Sequence, residues 1–417
     1  MEQWKQYKLG ELITLNSGGT PDKSNKSYWG GDIPWISAKF MYDDYLYSSE
    51  LKISQEGLDN GSRLAPKGSI LLLTRGSGLF NHIPVCYVMK DLAYNQDVKC
   101  IESNNKELVS TKFLFYWLMG NKNSIGAILE TTGIGAGKID TNRLKDIRIS
   151  LPPKEYQQAL IGFAESIMHK IELNRRINDN LEQQAQALFK SWFVDFEPFK
   201  NGKFVDSEMG MIPEGWKVGT IGEYCSIRSG YAFKSSWWQE TGTKVIKIKN
   251  ITDNKTLDMS DCSYVSSDKT YKAIDFQASP GDLIIAMTGA TIGKFCIIPF
   301  HNDKIYINQR VGKFFLGNNP LDRLPFIYCC LSYEPIYNEI ISKGQGSAQP
   351  NIGGADIENI RIILSPSTEL KEFNSLLRPI FQKKMQIESE LSKLSVLRDT
   401  LLPRLMSGEL KINDLNC

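Results

Sequence analysis

The chain has 417 residues, of which 41% are hydrophobic and 23% charged, with a formal net charge of +2. That length holds two or three domains, each able to bury a core, and the composition is ordinary for a globular protein. The near balance of charge excludes a uniformly basic or acidic chain, so any reading of nucleic acid must rest on local basic faces. The opening Met1-Glu2-Gln3-Trp4-Lys5 has no apolar run behind a basic tip, and no signal peptide is expected. Apolar runs such as Phe113 to Met119 are too short to span a bilayer. The eight cysteines form no CxxC pair, which suits reduced thiols in a cytoplasm. The three histidines (His82, His169 and His301) lack metal-ligand spacing with one another or with cysteine, so neither a metal site nor a His-based catalytic site is expected.

In chain order, residues 1–153 read as a mixed domain. Ile70-Leu71-Leu72-Leu73 and Ile147-Arg148-Ile149 read as strands between glycine-rich turns, and Thr111 to Met119 as a helix. Leu151-Pro152-Pro153 ends the last strand, and a long helix follows over 154–198. Its positions 160, 164, 167, 171, 174, 178, 181, 185, 188 and 192 step by four and three and are mostly apolar, the pattern of a coiled-coil seam. Residues 199–366 form a second mixed domain with its linker, in which Met211-Ile212-Pro213-Glu214-Gly215 is a turn. A second long helix and a short tail fill 367–417, with a kink or break expected at Pro379.

The two halves repeat. Gly68-Ser69-Ile70-Leu71 returns as Gly281-Asp282-Leu283-Ile284, and Asn95-Gln96-Asp97-Val98 as Asn308-Gln309-Arg310-Val311. Leu151-Pro152-Pro153 returns as Leu364-Ser365-Pro366, and the offset is the same each time. The seam repeats in the same register, from Phe373 to Leu405. A period of about 200 residues marks a duplicated domain with its connector rather than a solenoid. Two amphipathic helices with exposed stripes are expected to pair, and a pseudo-twofold arrangement makes them antiparallel. The fold class is therefore α/β (α+β), two tandem mixed domains separated and joined by an antiparallel coiled coil. Pairing or partner docking falls to Ile167, Ile171, Asn174, Asn178, Leu181, Leu188, Trp192, Ile380, Ile387, Leu391, Leu394 and Leu401. Asn174 and Asn178, set against Lys384 and Arg398, either specify register or mark a splayed, solvated stretch.

Catalytic motifs are lacking. Gly289 to Lys294 and Gly133 to Lys138 approximate phosphate loops, but both are one residue short, and Phe295 stands where Ser or Thr would hold magnesium. Both read as tight turns. No methyltransferase (Asn/Asp)-Pro-Pro-aromatic loop occurs, and no glycine-rich cofactor loop follows a strand. The chain reads as a binder with no cofactor of its own.

The loops Lys23 to Trp29 and Tyr231 to Trp238 interleave aromatics, amides and bases, as needed for phosphate neutralisation and base-edge contact. Their alternative is a solvated loop anchored by an aromatic, above all at Trp29. Thr74-Arg75-Gly76-Ser77 and Thr288-Gly289-Ala290-Thr291 follow the matched strand in each copy, close to any ligand there. Arg75 is either a guanine reader or a phosphate clamp. Asn95-Gln96 and Asn308-Gln309 are either adenine readers or braces of a turn; their recurrence in both copies favours braces, and their neighbours Asp97 and Arg310 are better readers. The candidate DNA contacts are Lys23, Lys26, Tyr28, Lys39, Arg75, Ser77, His82 and Lys138 in the first copy. In the second they are Tyr231, Lys234, Lys247, Lys249, Thr288, Thr291, Lys294, Arg310, Gln345 and Gln349.

These residues, with Gly19-Thr20-Pro21, Tyr28-Trp29-Gly30-Gly31-Asp32-Ile33-Pro34-Trp35, Leu188 to Phe196, Ile212-Pro213-Glu214-Gly215-Trp216 and Leu401 to Leu410, make the whole chain resemble the specificity subunit of type I restriction-modification systems. The second copy lacks the Gly-Asp-Ile-Pro-Trp string, and Thr243 to Ile248 is expected in its place. The resemblance implies a non-catalytic, cytoplasmic subunit whose two target-recognition domains each read half of a split DNA sequence in the major groove. It implies helices that act as a ruler: Leu160 to Trp192 spans on the order of 48 Å, against roughly 34 Å for a DNA turn. It further implies two methyltransferase subunits as partners, carrying S-adenosylmethionine and methylating a flipped adenine. An ATP- and Mg2+-dependent restriction subunit can join them. The alternative is a two-domain scaffold that binds proteins without reading DNA sequence.

Overall fold

The structure is a computed structural model that describes residues 4–133, 135–344 and 350–412. The chain forms two compact units, one from residues 1–170 and 395–417, the other from residues 171–394. Each unit is thus a mixed sheet domain together with part of each long helix.

In the first unit a five-stranded sheet runs in the spatial order Ile13–Ser17, Val98–Ser103, Ile70–Leu73, Val85–Val88, Tyr45–Leu46. Ile70–Leu73 is wholly buried, as its unbroken apolar run requires of a central strand. The helix Thr111–Gly120 covers it, started by Ser110, whose hydroxyl accepts from the backbone N–H of Phe113. A second sheet orders Lys52–Ile53, Trp29–Ile36, Leu92–Tyr94 and Arg63–Ala65; a third, of three short strands, orders Leu129–Thr131, Gly137–Ile139 and Arg75–Gly76. The strand Lys5–Lys8 pairs antiparallel with Arg148–Leu151, which leads into the first long helix.

The second unit repeats this plan. Ser226–Ser229, Val311–Phe315, Leu283–Ala286 and Phe295–Ile297 form one sheet. Trp238–Gln239, Ser263–Val265, Thr243–Ile246, Ile305–Ile307 and Gln277–Ala278 form the other. Lys217 pairs with Leu364 as Lys5 pairs with Leu151. The place of the Gly-Asp-Ile-Pro-Trp string is also settled. Trp35 pairs in parallel with Ala93, and Val245 pairs in parallel with Tyr306, the counterpart of Ala93 at the offset that relates Asn308 to Asn95. Thr243–Ile246 therefore stands where the end of that string stands in the first unit, as expected. Of the loop-like stretch before it, Phe204–Val205 and Ile212–Pro213 form a small antiparallel pair, and Gly215 takes a left-handed φ of 89° at the turn.

The long helices are Lys154–Phe193 and Ser367–Ser407. In each unit their segments run antiparallel. In the first unit the hydroxyl of Tyr156 accepts from the Ile412 backbone N–H, while Ala164, Ile167 and Met168 line a small apolar gap with Arg398 and Leu402. In the second, Asn174 meets Glu390, Asn178 meets Glu388 and Glu182 meets Lys384.

Two helix expectations change. Pro379 does not break the second helix, which is continuous through it. Proline frees the carbonyl four residues before it, here that of Ser375, and both residues lie on the exposed face where water can take that bond. The buried stripe also drifts. It follows Leu160, Ala164, Ile167, Ile171, Asn174, Asn178 and Ala185 as expected, but it also passes to Phe189 and Phe193, leaving Leu181, Leu188 and Trp192 half-buried. A helix of 3.6 residues per turn slips about 20° per heptad against a 3.5 repeat, so after four heptads the inward face has moved by nearly one residue. The second helix shows the same advance, with Phe381, Met385 and Leu402 buried while Ile380, Leu391, Leu394 and Leu401 are half-buried; Ile387 is buried as expected.

The stripe is covered by the sheet domain as well as by the partner helix. In the second unit Phe189, Phe193, Phe326 and Phe373 form one aromatic cluster, and the Phe326 backbone N–H donates to the Asn374 side chain at 2.9 Å. In the first unit a Cβ on Gly120 would come within 3.2 Å of the Leu402–Pro403 backbone, so the helix Thr111–Gly120 lies directly on the second long helix. Each burial of a Phe-sized side chain contributes about 1.5–3 kcal/mol, and the helices are integral to each unit's core.

Candidate nucleic-acid interface

Three chain segments meet at one surface of each unit, and the backbone hydrogen bonds of the first recur in the second at the repeat offset. The Thr74 N–H donates to the Asp97 carbonyl at 2.8 Å, and the Met287 N–H to that of Arg310 at 3.0 Å. The Ile139 N–H donates to Thr74 at 2.9 Å, and the Ile352 N–H to Met287 at 3.0 Å. Arg75 lies opposite Lys138 across an antiparallel pair, and Thr288 lies opposite Asn351 in an antiparallel bridge. The framework is shared and the side chains upon it are not.

Asn95 and Asn308 belong to that framework. Both are buried; the Asn95 N–H donates to Ile36 at 2.9 Å and the Asn308 N–H to Ile246 at 3.0 Å. The Thr20 hydroxyl donates to the Gln96 side chain at 2.7 Å, tying the turn to the start of the Lys23–Trp29 loop. The same approach of chains fixes two glycines: a Cβ on Gly18 would stand 2.1 Å from the Tyr94 carbonyl, and one on Gly230 2.4 Å from that of Ile307. These turns are braces, as their recurrence suggested.

In the first unit Arg75 and Ser77 are exposed and Lys138 is half-buried. Burial, with the charge of Arg75 adding and that of Asp97 opposing, holds the Lys99 ammonium below the ordinary lysine range. That ammonium donates to the Gln96 carbonyl at 3.3 Å, beside the same turn, a placement that sequence reasoning missed. Lys23 and Lys26 are exposed on the neighbouring loop beside half-buried Tyr28. Trp29 anchors that loop, with its ring edge-on to Trp35 at 5.2 Å and its indole N–H donating to the Asp22 carbonyl at 3.1 Å. The Lys39 ammonium lies over the Phe40 ring on a short turn, and the His82 backbone N–H donates to the Gly78 carbonyl at 3.0 Å at the end of the Ser77–Phe80 turn. Partial enclosure, helped by Lys122, keeps the His82 imidazole below its usual pKa.

In the second unit Arg310 is exposed and Tyr231, Thr288 and Thr291 are half-buried around the matching junction. The Gln309 N–H donates to the Tyr231 carbonyl at 3.0 Å, and the Thr291 hydroxyl donates to that of Thr288. Lys234 and Lys247 lie over Trp237 and Trp238, at 5.6 Å and 3.6 Å from the ring centroids. Burial first, then the charge of Lys249, holds Lys247 below the ordinary lysine range. Lys249 and Lys294 are occupied by Asp261 and by Asp253 (2.7 Å), which leaves them less available for phosphate than their sequence suggested. Gln345 and Gln349 lie outside the described residues. Asn351 was missed, although the offset that relates it to Lys138 was legible.

The two glycine strings are turns. In the first, Gly135 takes a left-handed φ of 78° and its N–H donates to the Thr132 carbonyl at 2.8 Å. In the second, Gly289 and Gly293 take φ values of 71° and 82° around a single 3-10 turn, which presents no helix N-terminus to a phosphate. Among the described residues, no helix is long and apolar enough to cross a membrane.

A family model for the type I restriction modification DNA specificity domain matches residues 1–183 and 213–394. The chain is 29% identical to the type I restriction enzyme MjaIX specificity subunit of Methanocaldococcus jannaschii, over 99% of this chain and 95% of that one. It is 22% identical to the HindI specificity subunit of Haemophilus influenzae, over 98% of this chain and all of that one. The crystal structure of a type I restriction-modification system S subunit from M. genitalium shares the fold. Its TM-score is 0.57 at 17% identity, covering 97% of this chain and 96% of that one. With a duplicated domain matched over most of its length, the chain belongs to the type I restriction-modification DNA specificity family.

Proposed function

We propose that this chain is the sequence-recognition subunit of a type I restriction-modification complex and carries no catalytic site of its own. Each unit reads one part of a bipartite DNA target in the major groove, and the paired helices hold the two parts at a fixed spacing. The observation that carries this reading is the junction in each unit, where one backbone framework bears different polar side chains: a repeated scaffold with altered contacts suits two readers of two sequences. Helices of 40 and 41 residues, about 60 Å each, exceed the roughly 34 Å of one DNA turn and suffice as a spacer. Two methyltransferase subunits dock on the chain and supply S-adenosylmethionine-dependent adenine methylation, and a restriction subunit supplies the ATP- and Mg2+-dependent step where it is present.

The test is binding of the full chain, with methyltransferase subunits, to duplexes of random sequence and to genomic fragments over a range of salt. A DNA reader loses affinity steeply as salt rises, because each neutralised phosphate releases counterions, and it keeps a preference among sequences. Equal, salt-independent affinity for every duplex contradicts the proposal and favours a protein-binding scaffold.

A further inference from the structure

We propose that the side chains at the matched junction are the specificity-determining residues: Arg75, Asp97 and Lys138 for one half of the target, Arg310 and Asn351 for the other. This rests on the DNA-reading function above and assigns its base contacts.

The positions in the two units are equivalent. Each set of three is fixed by the same two backbone hydrogen bonds and the same cross-strand pairing, at the same offset along the chain. A residue on a shared framework faces the same part of a shared ligand, so the differences there are what separates one target from another. Asn95-Gln96 and Asn308-Gln309, one step away, are identical and cannot do so.

The chemistry of each set follows. Arg75 and Lys138 stand directly opposite each other on neighbouring strands, where like charges repel. An electron-rich partner relieves that repulsion, and the O6 and N7 acceptors of guanine offer one. Asp97 can accept only, and suits the exocyclic amine of cytosine. In the second unit the small Thr288 replaces Arg75 and its hydroxyl oxygen is shut away from solvent, so the polar contacts pass to exposed Arg310 and exposed Asn351. Arginine forks onto guanine, and an amide pairs with the N6 and N7 of adenine. The first unit is assigned a guanine- and cytosine-reading set, the second a set reading guanine and adenine.

The experiment is selection from a pool of random duplexes by the full chain with its methyltransferase subunits, comparing the wild type with R75K, R310K and N351A. Lysine keeps the charge but loses the bidentate fork, so a phosphate clamp survives the arginine substitutions and a base reader does not. R310K and N351A are expected each to relax one base position of one half, by roughly 5- to 160-fold in preference, with the rest of that half and all of the other unchanged. R75K relaxes a position in the opposite half. The unaffected positions report that the altered unit is still folded. Variants that keep the full wild-type motif overturn the inference and leave DNA reading standing. Loss of a whole half at once also overturns it. A wild type that selects no motif overturns the function on which it rests.

Discussion

Glu182 on the first long helix and Lys384 on the second meet at 3.0 Å, inside a polar group enclosed by the core of the second unit. Lys255 reaches the same carboxylate at 3.0 Å from a surface hairpin, and the Tyr328 hydroxyl donates to it at 2.8 Å. Burial alone would raise the Glu182 pKa, but Lys384, Lys255 and Tyr328 together outweigh it and hold the carboxyl below its usual value. Ionic groups therefore join the two helices here, although among the described residues Glu388 Oε2 and Asn178 Oδ1 are buried without a hydrogen-bond partner. Both asparagines are buried and face Glu390 and Glu388, not Lys384 or Arg398.

Removing Lys384 takes from Glu182 and Glu388 the buried cation that they share. Lys384→Met is expected to destabilise the second unit by about 3 kcal/mol, the scale for breaking a buried ion pair from one side. The double substitution Glu182→Leu with Lys384→Met should recover part of the loss, since Lys255 then lacks its carboxylate. Urea midpoints of the three proteins measure it, and equal midpoints for the wild type and Lys384→Met contradict the prediction.

Glu388 gives the group a pH dependence. Burial, with the charge of Glu182 adding and Lys384 opposing, raises its carboxyl to about 7. A carboxyl that binds its proton more tightly folded than unfolded favours the fold at low pH. Its contribution is complete below the unfolded value near 4.5 and is lost as pH rises through 7. Stability should fall by about 2–3 kcal/mol between pH 5 and 8 from this group alone. Glu182, shifted the other way, loses its contribution only below that window. Glu388→Gln should flatten the slope across pH 5–8, and thermal melts across that range read it; an unchanged slope means that Glu388 is not the titrating group.

The drift of the buried stripe has its own consequence. Phe189 is buried among Phe193, Phe326 and Phe373, whereas Leu188, the heptad position, is half-buried. Phe189→Ala should cost about 3–5 kcal/mol, and Leu188→Ala about 1 kcal/mol. Denaturation midpoints in the reverse order would show that the seam keeps its heptad repeat.

Lys255 combines strain with contact. It holds a left-handed φ of 56° at the hairpin tip while its ammonium reaches Glu182 and the Ser332 hydroxyl. Lys255→Ala loses the contacts and keeps the strain, whereas Lys255→Gly loses both. The glycine variant should therefore be the more stable of the two by about 1 kcal/mol, a difference that melting temperatures can resolve.

Much of this architecture was legible in the sequence because duplication makes the chain its own comparison. The Leu151/Leu364 strand ends, the Asn95/Asn308 turns and the helix seams all repeat, and each finds its place. What escaped was set by three-dimensional packing. A linear heptad cannot register the gradual slip of an α-helix against it, so Phe189 was passed over for Leu188. Pro379 reads as a kink or break, and that the helix does not break there follows only once its side is known to face water. Asp261 lies well downstream of Lys249, and Asp253 far upstream of Lys294, so no local pattern reveals either pairing. Asn351 carries no motif; the repeat offset relates it to Lys138, and its cross-strand place opposite Thr288 marks it.

We propose that the two units read two separate sequences held at a fixed spacing. The most direct measurement is a map of methylated adenine across a genome in cells that express this chain with its methyltransferase subunits. One asymmetric motif of two parts separated by a gap of fixed length is expected. A contiguous palindrome, or two parts at variable spacing, contradicts it.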